Sequence, residues 1–67
     1  MIRPITQPEY DLLDKFLRAV HERIRDGKMT RQEGVEAMIH PINAFQSGDR
    51  GNFAPFMEEK LDAWGVP

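Results

Sequence analysis

The stretch IRDGKMTRQE, residues 24–33, decides the fold of this chain. Gly27 is the residue type that closes a helix, because without a Cβ it enters the left-handed backbone region at little cost. Thr30 and Glu33 then stand at the spacing of a capping box. The threonine side chain satisfies the backbone N–H of the glutamate, and the glutamate carboxylate satisfies that of the threonine. One helix that ends at Gly27 and another that starts after Thr30 are joined by only about three residues. Such a connection is too short to carry the second helix anywhere but back along the first, so an antiparallel αα-hairpin is expected.

Upstream, TQPE repeats the same grammar. Thr6 is the expected N-cap, Pro8 falls in the first turn where its missing N–H is harmless, and Glu9 completes a capping box. Ile5 and Tyr10 hold the positions of a hydrophobic staple around that start. Tyr10, Leu13, Phe16, Leu17, Val20 and Ile24 fall within an arc of about 120°, the expected core face of a helix over 7–26.

Downstream, MIHPINAF, residues 38–45, sets a histidine and a proline inside a helical pattern. Val35, Met38, Ile39, Ile42 and Phe45 keep one phase across Pro41, again within about 120°. The spacing therefore predicts one helix over 31–46, kinked where Pro41 loses its bond to the Ala37 carbonyl. The alternative is a break at His40 with a new segment starting on Pro41. The stretch QSGDRGN after Phe45 is polar and contains two glycines, and residues 47–53 read as a loop. A shorter helix over 54–64 follows, capped by Asn52 or Ala54, with Pro55 in its first turn. Phe53, Met57, Leu61 and Trp64 lie on one face, and Gly65 closes it with Val66 as the accompanying apolar contact. The expected fold is all-α, a small three-helix bundle forming a single domain over residues 1–67.

Composition limits the chemistry. The 67 residues hold no cysteine and two histidines, so no disulfide or thiolate metal site is available, and no metal or cofactor is expected. His21 and His40 stand on different helices, displaced by about four residues of rise across the hairpin, too far apart to share a zinc ion. The fragment HERIR, residues 21–25, has Arg25 where a metalloprotease motif needs its second histidine. The alcohols Thr6 and Thr30 are used by capping, and nothing in the sequence sets a base beside Ser47. Glu58 and Glu59 are helix neighbours whose side chains diverge, and solubility with dipole complementarity accounts for them. There is no phosphate-binding glycine loop. The chain is not expected to be an enzyme.

Nine basic and eleven acidic residues leave a net charge of −2, too balanced for a dedicated nucleic-acid binder. The distribution is less even, because Lys15, Arg18, Arg23, Arg25, Lys28 and Arg31 face only Glu22 and Asp26 between positions 15 and 31, six against two. This stretch is either a solvated helix face, with i,i+4 pairs such as Arg18 and Glu22, or a surface that steers an acidic partner. Leu12 and Phe56 are left off the expected core faces. They either meet inside the bundle or form an apolar patch for a partner or a second copy. The candidate partner-binding residues are thus Arg18, Arg23, Arg25, Lys28, Arg31, Leu12 and Phe56.

A small helical chain without catalytic groups is expected to work by occupying a surface. The reading is a protein–protein interaction module, a regulatory subunit, adaptor or inhibitor of a larger complex, including a phage- or plasmid-encoded antagonist of host machinery. Its partner is a protein, and a homodimer is compatible with its size. The alternative is a dimeric helix-turn-helix-like protein that binds nucleic acid through the basic tip. Glu58, Glu59 and Asp62 on the last helix count against that alternative, since they would repel phosphate. Residues 1–20 contain Glu9, Asp11 and Asp14 and no continuous apolar run. No signal peptide or membrane span is expected, the chain is read as the whole mature protein, and a cytoplasmic location is favoured.

Overall fold

The computed structural model describes residues 4–66, which form three α-helices around one core and contain no strand. Helix α1 spans Gln7–Arg25, α2 spans Arg31–Ser47 and α3 spans Ala54–Ala63, with a 3-10 turn at Arg50–Asn52 before α3. The architecture is a small all-α three-helix bundle. Both capping boxes are made. Glu9 N–H donates to Thr6 Oγ1 at 3.3 Å while Thr6 N–H donates to Glu9 Oε1 at 3.0 Å. The same pair at Thr30 and Glu33 measures 3.1 and 2.9 Å. Each helix ends on a glycine with positive φ, and the residue after it donates back to a carbonyl of the last turn: Lys28 to Arg23, Asp49 to Ala44 and Val66 to Leu61.

The hairpin is antiparallel, since Gly34 near the start of α2 lies against Ile24 and Val20, while Ile42 and Phe45 near its end share a groove with Leu13. Helix α3 runs alongside α1 in the same sense, because Phe56 meets Phe16 and Trp64 meets Arg23 further along. The buried core consists of Phe16, Ala19, Val20, Ala44, Phe53, Met57 and Leu61.

Pro41 does not divide α2. The helix is continuous through it, and the proline is among the most buried residues of the chain. The buried side of α2, however, differs from the expected one. Gly34, Pro41 and Ala44 are buried and Ala37 half-buried, whereas Val35, Ile39 and Ile42 are exposed. The cause is close approach: a Cβ on Gly34 would overlap Ile24 Cδ1 and lie 3.3 Å from Val20 Cγ1, so the smallest residues face α1 and the larger aliphatic ones are turned aside. Tyr10 is likewise 56% exposed, because the buried arc of α1 turns toward Ala19, where α3 packs. The start of α3 also departs from expectation. Its N-cap is Phe53, which makes no side-chain capping bond. Burial of the Phe53 ring against Phe45, with centroids 5.0 Å apart, holds this start in place of a polar cap.

Candidate interaction surface

Among the described residues no three His, Asp or Glu side chains converge on a point. His21 is exposed on α1. His40 reaches from α2 to α3, its ring centroid 4.1 Å from that of Phe56. The residue as a whole remains exposed, and the sequence could not show this contact, which depends on how α3 returns.

The basic stretch is not one surface. Arg18 pairs with Asp14 at 3.0 Å instead of with Glu22, the aspartate standing four residues N-terminal to the arginine, the orientation the helix dipole favours. Arg25 pairs with Asp26 at 3.3 Å. Arg23 turns inward, with its guanidinium 4.8 Å from the centroid of the Trp64 ring and its Nε buried without a hydrogen-bond partner. Lys28 and Arg31 are exposed at the hairpin turn, with no ion pair among the described residues.

Leu12 and Phe56 are both half-buried against the core. Phe56 sits edge-on to Phe16, with centroids 6.1 Å apart, and carries His40 on another side. Leu12 lines a different surface, the groove between α1 and α3, along with Leu61, Val66, Glu58 and Asp62.

The most distinctive surface is one that sequence patterning assigned to the core. Val35, Ile39 and Ile42, at 47%, 47% and 42% exposure, form a stripe along α2. Beside it lies a groove of about 420 Å³ lined by Ile5, Leu13, Ile42, Phe45, Gln46 and Phe53. His40, which touches α3, is two residues from Ile42 and therefore about 160° around the helix from it. The stripe thus lies on the side of the hairpin that α3 leaves uncovered. From Ala37 to Gly48 the chain has no Asp, Glu, Lys or Arg, although 30% of the whole chain is charged. A signal was present in the sequence: Gly34, Ala37, Pro41 and Ala44 share a helical face of small residues, which competes with the aliphatic arc for the close contact.

No protein-family model, curated protein or solved structure matches this chain. Among the described residues no helix is long and apolar enough to cross a membrane.

Proposed function

We infer that the chain is a cytoplasmic, non-catalytic protein–protein interaction module, a small regulatory subunit, adaptor or inhibitor that works by seating the exposed aliphatic face of α2 against another protein. The observation that carries this reading is the exposed stripe of Val35, Ile39 and Ile42, the last two within the charge-free segment 37–48. Lone exposed aliphatic residues are ordinary, but a contiguous row beside an apolar groove marks a contact surface. Each of the three side chains has roughly half its area left to bury, worth about 1 kcal/mol apiece on association. The absence of cysteine agrees with a reducing compartment.

The nucleic-acid reading draws less support from the charge layout. Arg23 is committed to Trp64, Arg18 and Arg25 are paired, and the free cations at the turn reduce to Lys28 and Arg31. The test is affinity capture from the native host with the wild type and with Ile39→Lys, which removes an exposed aliphatic residue and keeps a good helix former. Proteins held by the wild type and lost by the variant, with both chains melting alike, support the reading. Identical captured sets would refute it.

A further inference from the structure

We propose that the occupant of the α2 face in the isolated protein is a second copy of this chain, packed face to face so that two α1–α2 hairpins form a four-helix core with the α3 helices outside. The proposal rests on the preceding reading that this face is an interface, and adds what covers it. Three observations favour a second copy over a partner of different chemistry.

The first is charge. A two-fold interface brings each patch against itself, so any charge near the axis meets its own like. Residues 37–48 carry none, and Ile39 and Ile42 both lie within that segment. That segment can be laid antiparallel on its own copy without a like-charge pair. Surfaces shaped for a different protein usually keep complementary charges that steer the encounter. The nearest ionic groups on the α1 side, Asp14 and Arg18, already neutralise each other.

The second is layering. Helix α3 covers one side of the hairpin, and the other side presents half-buried Leu13, Leu17, Met38 and Phe45 beside the exposed stripe. An antiparallel hairpin with an apolar side is half of a four-helix bundle. A matching hairpin supplies the missing layer.

The third is area. The chain exposes 4807 Å², whereas a monomer of its 7.8 kDa mass ordinarily exposes about 4,400 Å². The hairpin face is about 25 Å long by helix rise and two helices wide, so two copies would bury on the order of 1,000 Å² in total. That is the low end for a specific interface, and it sets the expected strength: a reversible dimer with Kd in the micromolar range, which a tighter partner can displace.

The experiment is sedimentation equilibrium of the full chain from about 1 μM to about 1 mM, with melts at both ends of that range. Three chains are compared: the wild type, Ile39→Lys/Ile42→Lys, and Ala63→Lys, a control on the exposed side of α3. The expected result is a wild-type mass that rises toward the dimer with concentration and a Tm that rises with it. The double variant stays monomeric and helical with a concentration-independent Tm, and Ala63→Lys behaves as the wild type. A wild type that remains monomeric throughout overturns the proposal, as does a double variant that associates like the wild type. A monomeric wild type that still captures a host protein through Ile39 would remove the second copy and leave the interaction reading standing. A dimer whose Ile39→Lys variant captures the same host proteins would do the reverse.

Discussion

The guanidinium of Arg23, on the last turns of α1, lies over the indole of Trp64 at the end of α3, 4.8 Å from the ring centroid. Trp64 in turn stacks on Phe16, with centroids 5.6 Å apart and the planes 17° from parallel. Arg23 is therefore part of the packing that holds α3 on α1, although charge patterning placed it at the solvent-facing tip. Arg23→Ala should lower stability by about 1 kcal/mol through loss of the cation–π contact and of stem packing. In a chain this short that is a fall of roughly 4–8 °C in Tm. Arg25→Ala, exposed one turn end away, should leave Tm nearly unchanged, and equal effects of the two would refute the assignment.

Gly34 is a point of close approach within the hairpin. Alanine is the better helix former by about 1 kcal/mol, yet its Cβ would meet Cγ1 atoms of Ile24 and Val20 at 3.2 and 3.3 Å. These atoms sit on β-branched side chains whose χ1 is nearly fixed in a helix, so relief must come from moving the helices apart. Gly34→Ala should cost about 1 kcal/mol net, and Gly34→Leu should abolish the cooperative melt. A Gly34→Ala chain that melts higher than the wild type would show that the helices separate at no cost.

Pro41 sits inside a continuous helix, buried. Pro41→Ala restores the N–H and removes the ring's clash with the preceding turn, a gain of about 3 kcal/mol. It also deletes two buried methylene groups, a loss of about 2 kcal/mol. Far-UV helicity should hold or rise and Tm should rise slightly. A marked fall in helicity would mean that the proline is needed to start a separate segment.

Phe56 packs against Phe16 and His40. Phe56→Asp would set a carboxylate against the core, at a cost of several kcal/mol that rivals the stability of so small a chain. Loss of the cooperative melt is expected, whereas His40→Ala, which removes only the outer ring of the stack, should cost about 1 kcal/mol. A folded Phe56→Asp chain with unchanged Tm would refute this placement.

The backbone and side chain of Thr30 both donate toward the Glu33 carboxylate, with the backbone bond the larger cause, and hold its pKa below the usual value of 4.5. A carboxylate with a depressed folded pKa contributes stability that is fully present above its unfolded pKa and is lost as pH falls through the folded one. The wild-type Tm should therefore drop on acidification below about pH 4.5. Glu33→Gln, whose amide oxygen can still accept from Thr30, should lose less over the same range. Parallel pH profiles would show that the capping box does not contribute.

Where α1 and α2 begin and where α1 and α3 end was legible because the signals are local: Thr6 with Glu9, Thr30 with Glu33, and glycines 27 and 65 act within a turn of themselves. Which side of α2 is buried was not. Periodicity weighs hydrophobicity, and it ranked Val35, Ile39 and Ile42 above Gly34, Ala37, Pro41 and Ala44. At a close helix crossing, size outranks hydrophobicity, and that crossing is a tertiary fact. The inward turn of Arg23 and the stacking of His40 on Phe56 were hidden for the same reason, since each depends on a residue more than fifteen positions away. The candidate surface became visible only when the aliphatic arc proved to be outside.

The five-residue link over residues 26–30, with a stop and a start encoded in it, also has a kinetic meaning. Closing so short a loop costs little chain entropy, and helix-to-helix contacts made through it have low sequence separation. Bundles of this kind fold in microseconds to milliseconds. A newly made chain would thus spend little time with its apolar residues unsorted, and the α2 stripe would be left as the surface still open for collision once the rest has closed.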